Sequence, residues 1–184
     1  MLIIYALPIG LLLGYVLRGR LATLASLRMR HMWLIPIALV IQLVIFLPFG
    51  RGLSVPASLF MALHLASYGL ILVFLGVNLR QPPVGVIVLG ALFNLLVISA
   101  NSGHMPSSAT ALTRAGETEI VERLLTDGTF GNIVLMGTET SLNPLGDVLY
   151  LPAAIPLATA FSLGDALVAV GLVWLIARGM VADV

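Results

Sequence analysis

Asp147 and Asp165 are the residues of this chain best suited to chemistry. Each follows a glycine, Gly146 or Gly164, and together they flank the approach to the last apolar stretch. A pair of carboxylates can share one proton, so that one positions water for attack while the other protonates a leaving amine. The nearness of like charges drives their pKa values apart, and the pair then titrates as a unit. Both also have a plainer reading. Ser162-x-x-Asp165 is the pattern of a capping box, in which an acid in the first helical turn complements the dipole. Asp147 closes the run Asn143-Pro144-Leu145-Gly146-Asp147 and reads equally as a turn acid. Carboxylates kept beside hydrocarbon cost free energy, which makes both functional candidates by default.

Asn101 and His104 are candidates for holding a substrate. They stand in Asn101-Ser102-Gly103-His104-Met105-Pro106, where an amide, an imidazole and a glycine backbone offer donors for a carbonyl or oxyanion. The same residues also make a helix end, with Asn and Gly terminating it and Pro106 preventing a restart. Asn143 is a third substrate-binding candidate and Glu139 a further loop acid, each readable as a solvated side chain.

Much chemistry is excluded. The chain has no cysteine, which removes disulfides, zinc–thiolate sites and cysteine nucleophiles. It holds no His-Glu-x-x-His zinc motif, Walker loop, dinucleotide fingerprint or Gly-x-Ser-x-Gly elbow, so no metal and no cofactor are expected. His64, with Ser67 and Tyr68 one turn on, invites a haem or quinone reading. A second imidazole at its depth is needed for bis-histidine haem, yet His31 and His104 fall near opposite rims. Helix–helix hydrogen bonding is the expected role of His64, as of Gln42, Asn94 and Ser99. A net charge of +1 leaves no basic patch for nucleic acid.

The elements that must position these residues are membrane spans. Of the 184 residues 60% are hydrophobic and only 9% charged, with a mean hydropathy of +1.11. So much apolar surface needs lipid as its solvent, and the bilayer is the first partner expected. The whole chain, 1–184, reads as one membrane domain of all-α class. Its spans fall at about 2–17, 32–49, 57–79, 83–100 and 162–178, near the roughly 17–25 residues that cross hydrocarbon. The first is short. No positive charge precedes it and Arg18 and Arg20 follow it, the wrong polarity for a cleaved signal, so it reads as a retained span. Gly10-x-x-x-Gly14 within it suggests close packing inside the chain.

Arg18, Arg20, Arg28 and Arg30 crowd the first loop, which places that loop in the cytoplasm along with Arg80 and Arg178. Arg51, Arg114 and Arg123 then lie outside, with every acid except Asp183. The expected topology is N-terminus outside, five crossings and C-terminus cytoplasmic. The loop 101–161 is long enough to be functional. Ile120, Val121, Leu124 and Leu125 recur at helical spacing ahead of Gly128, predicting a short amphipathic helix on the membrane surface or capping the bundle. A small hairpin is expected within 128–140, and a re-entrant or interfacial segment over 148–160.

With those motifs in place, residues 147–176 resemble the end of signal peptidase II, the lipoprotein signal peptidase. The resemblance rests on Gly146-Asp147-Val148-Leu149, a proline-containing apolar spacer, and Phe161-Ser162-Leu163-Gly164-Asp165. Ser162 and Gly164 stand where that family has Asn and Ala. Of its Gly-Asn-x-x-Asp-Arg motif only Gly131-Asn132 is present. The resemblance implies that Asp147 and Asp165 form a catalytic aspartyl dyad at the outer face of a bacterial inner membrane. Their substrate would be a membrane-anchored peptide or a lipid-linked molecule. The whole chain is more similar to a bacterial family of five-span membrane proteins of unknown function. That family combines the Asn101–Pro106 motif with the two Gly-Asp motifs, and it implies no activity. A non-catalytic membrane subunit or ligand-binding protein is therefore the alternative expectation.

Overall fold

The computed structural model describes residues 2–46 and 56–181. The expected end of the second span at 47–49, and Arg51, lie outside the described residues. Eight helices occur among those described: α1 (Ile3–Val16), α2 (Leu21–Ala25), α3 (Leu34–Phe46), α4 (Ala57–Val77), α5 (Pro82–Ala100), α6 (Ala109–Arg114), α7 (Thr118–Asp127) and α8 (Leu163–Val181). Three are long and apolar enough to cross a membrane: α4, over Ser58–Val77, then α5 and α8. The helices α1 and α3 are equally apolar but shorter.

Glycine sets how closely the helices approach. A Cβ on Gly10 would lie 2.9 Å from Ile176, and one on Gly14 would overlap the Met180 side chain, so α1 rides directly on α8. The Gly10/Gly14 motif thus serves packing within the chain. Between α5 and α8, a Cβ on Gly171 would lie 2.5 Å from Ile87. Leu34, Phe74, Leu75, Val84, Ile87 and Ala91 form the apolar core where α3, α4 and α5 meet. Polar side chains link the helices to one another and to their loops. Gln42 Nε2 donates to Ser67 Oγ (3.2 Å). Asn78 clamps the loop before α3 by accepting from Arg30 N–H (2.8 Å) and donating to Arg30 C=O (2.9 Å). His64 reaches a loop: its Nδ1–H donates to Gly103 C=O (2.8 Å). Ser99 is exposed, unlike the buried Asn94 on the same helix.

The all-α expectation needs correction, because 101–161 folds as a subdomain with two small sheets. The strands β1 (Met105–Ser107), β2 (Thr129–Phe130) and β3 (Ile133–Leu135) form one sheet in the order β1-β3-β2. β2 and β3 are the hairpin expected within 128–140, and β1 pairs parallel to β3, Met105 opposite Ile133. The second sheet joins β4 (Leu149–Tyr150) to β5 (Ala160–Phe161). Strands of two or three residues are too short for their alternation to register in sequence.

The amphipathic helix is α7, ended by Gly128 at φ +77°. Leu124 with Ile120 and Val121 packs on Ala111, Leu112, Phe130, Ile133 and Tyr150, so its apolar face covers the subdomain's own core. Leu125, grouped with that stripe by spacing, is 69% exposed and lies past its margin. A third cluster, Val97, Ile98 and Met105 with Tyr68 and Ile133, seats the subdomain on the bundle.

Candidate functional site

Asp165 opens α8 and is held by a reciprocal capping box. Its backbone N–H donates to Ser162 Oγ (2.9 Å), and its Oδ2 accepts from Ser162 N–H (3.2 Å). The plain reading of Ser162-x-x-Asp165 is therefore correct. It is also incomplete, since Asp165 Oδ1 accepts from Asn94 Nδ2 on α5 (2.7 Å) while Asn94 Oδ1 accepts from Ser162 Oγ (2.8 Å). Gly164 makes this approach possible: a Cβ there would overlap the Asn94 amide.

Asp147 is placed by the sheet edge. Its N–H donates to Pro106 C=O (2.9 Å) and its C=O accepts from Ser108 N–H (3.0 Å), a parallel bridge beside Ser107. The preceding Gly146 allows the chain to lie this close, because a Cβ would stand 2.5 Å from Pro106 O. The Asp147 side chain is 8% exposed, and its Oδ2 accepts from the buried Ser107 hydroxyl (2.6 Å). Burial pushes the Asp147 carboxyl from an ordinary 3.8 up to about 7. The Ser107 hydrogen bond opposes that rise, and the charges of Asp165 and Glu117 add to it. Removing the hydroxyl in Ser107→Ala should therefore move the Asp147 titration higher still, read as persistence of its protonated-carboxyl infrared band to higher pH.

The two aspartates line one cavity of ≈ 330 Å³, together with Ser107, Glu117, Asn132, Thr159 and Ala160. Glu117, at the start of α7, faces the same space and accepts from Ala160 N–H (3.1 Å) and Thr159 Oγ1 (3.2 Å). Among the described residues no three His, Asp or Glu side chains stand together as a metal site.

Asn101, His104 and Asn143 are not among the residues lining that cavity. The Asn101 side chain is taken up by backbone, donating to Val97 and Ser141 C=O and accepting from Ser141 N–H. His104 stacks on Phe60 with ring centroids 5.3 Å apart, and burial lowers its pKa. Asn143 ties its own loop, donating to Gly137 C=O and accepting from Thr140. Glu139 is exposed. The sequence motif Asn101–Pro106 does lead into the site, but through the next residue, Ser107. Nothing in the sequence marks Glu117, whose place depends on how α7 docks.

A family of unknown function, DUF5317, matches residues 26–177. The chain belongs to that family. The matched part holds Ser107, Glu117, Asn132, Asp147, Thr159 and Asp165, which line the cavity, and Asn94, which bonds Asp165. No curated protein and no solved structure matches the chain.

Proposed function

We propose that this protein is a membrane-embedded aspartyl hydrolase acting on a peptide-like segment that reaches it from the bilayer. The observation that carries the reading is the opening of Asp147 and Asp165 into one cavity from very different surroundings. Asp147, buried and still protonated near neutral pH, acts as general acid. Asp165, with an N–H donor on each oxygen, acts as the carboxylate that orients water. Water attacks the amide carbonyl as Asp165 takes its proton, and the C–N bond breaks as Asp147 protonates the leaving nitrogen. A proton passing from Asp165 to Asp147 through water resets the pair. The resemblance of 147–176 to signal peptidase II supports the same reaction class.

The arginine bias supports five crossings of a bacterial inner membrane, α1 and α3 among them, with the N-terminus and the subdomain outside. A membrane-anchored peptide or a lipid-linked molecule is the substrate class this placement favours. The test is to reconstitute the protein in lipid vesicles with membrane-anchored peptides and follow cleavage by mass spectrometry. Wild type should cleave, and Asp147→Asn and Asp165→Asn should not; cleavage by both variants at the wild-type rate removes the carboxylates from the mechanism. A non-catalytic membrane subunit or ligand-binding protein is the second reading. It draws on the occupation of both Asp165 oxygens by structural partners, the Ser162 N–H of its own cap and the Asn94 amide of α5.

A further inference from the structure

The β4–β5 hairpin has two faces of opposite character. Tyr150 and Ala160 are cross-strand partners, and both pack into the subdomain core, with Ala160 also lining the carboxylate cavity. Leu149 and Phe161 are the other pair and share the opposite face. Phe161 lines an apolar cavity between α1 and α8, with Tyr5, Ile9, Val170 and Trp174. Leu149 (40% exposed) extends that apolar surface from the seam onto the hairpin.

No charged residue occurs between Asp147 and Asp165, and the tip of the hairpin, 152–158, is wholly apolar. Pro152, Ala153, Ala154, Pro156 and Leu157 are exposed, Leu157 by 66%. The charged residues of the subdomain are Arg114 on α6, those at the start of α7 and along it, Glu139 and Asp147; Arg114 and Glu117 reach the hairpin at Tyr150, Thr159 and Ala160, and none belongs to the tip. The tip is also poor in backbone donors that would need water. Pro152 and Pro156 have no N–H. Those of Ala153, Ile155 and Ala158 are bonded to the carbonyls of Arg114, Pro152 and Ile155. Phe161 runs within two residues into α8, a helix long enough to span, so the hairpin's base is fixed at membrane height.

We propose that the 152–158 tip inserts into the leaflet on the subdomain's side, making this hairpin the wall between the carboxylate cavity and the lipid. Irregular backbone is not tolerated deep in hydrocarbon, so the tip lies at the boundary of headgroups and acyl chains. The proposal stands whether or not the aspartates do chemistry. If they do, the hairpin is the side from which a lipid-borne substrate reaches them.

The native chain has no cysteine, so single labels are clean. Leu157→Cys and Ala154→Cys carry an environment-sensitive fluorophore in phosphatidylcholine–phosphatidylglycerol vesicles. Glu139→Cys gives the aqueous reference and Leu96→Cys, on the exposed face of α5, the lipid reference. The tip labels should show blue-shifted emission, quenching by nitroxide-bearing lipid and loss of iodide quenching, as at Leu96. Iodide quenching at the tip equal to that at Glu139 overturns the proposal. Ala154 provides the readout should Leu157→Cys fail to fold at its positive φ of 55°. The assay contains no substrate, so a failure of the cleavage test leaves its result standing.

Discussion

Asp147→Asn is expected to leave the protein more stable above neutral pH while abolishing cleavage. The folded state holds a proton on Asp147 up to about pH 7, whereas the unfolded chain gives it up near 3.8. This contribution to stability is complete below the lower value, declines as pH rises through the window, and is lost above the upper one. The gap corresponds to about 4 kcal/mol as an upper limit. Asparagine cannot ionise, and its Oδ1 can still accept from Ser107. The melting temperatures of variant and wild type should thus coincide near about pH 4 and separate in the variant's favour toward about pH 8. A difference independent of pH would show that Asp147 is not buried as a neutral acid. The chemical loss, on the order of 10²–10⁴-fold for one acid–base group, would appear in the vesicle cleavage assay. Such opposite signs on stability and activity are what a residue retained for function produces.

Gly164→Ala should do harm of the opposite pattern, costing both stability and activity. Its Cβ would overlap Asn94 Oδ1 and stand 2.7 Å from Gly90 O, which is backbone and cannot swing aside. Overpacking of this kind costs about 1–3 kcal/mol. To relieve it Asn94 must leave Asp165 and Ser162, so the cap loosens and the carboxylate loses its position. Adding Asn94→Ala should restore part of the melting temperature by making room, and none of the cleavage. Recovery of both would mean that Asn94 only fills space.

How much of this was legible before the structure depends on the range of the interaction. The capping box at Asp165 is a four-residue pattern, and it appears where Ser162-x-x-Asp165 placed it. Its second partner is on α5, seventy-one residues away, and the sequence marks Asn94 only as a polar group in an apolar helix. The two Gly-Asp pairs at one end of the spans led to the expectation that Asp147 and Asp165 meet, and both line one cavity. What held Asp147 did not, because Ser107 reaches it through a sheet too short to show alternation. The helix α7 was visible in its periodicity, but the identity of its packing partner was not. A stripe of leucines reads the same whether lipid or a neighbouring strand covers it.

The Asn94 amide has a further consequence for how the bundle can move. Its oxygen receives from Ser162 and its nitrogen gives to Asp165, so both ends are committed to α8 in one orientation. A slip of α8 along α5 by a single turn, about 5.4 Å, would strand an amide, a hydroxyl and a carboxylate among aliphatic neighbours at once. The two helices are thereby indexed like teeth on a rack, and sliding past this point is opposed.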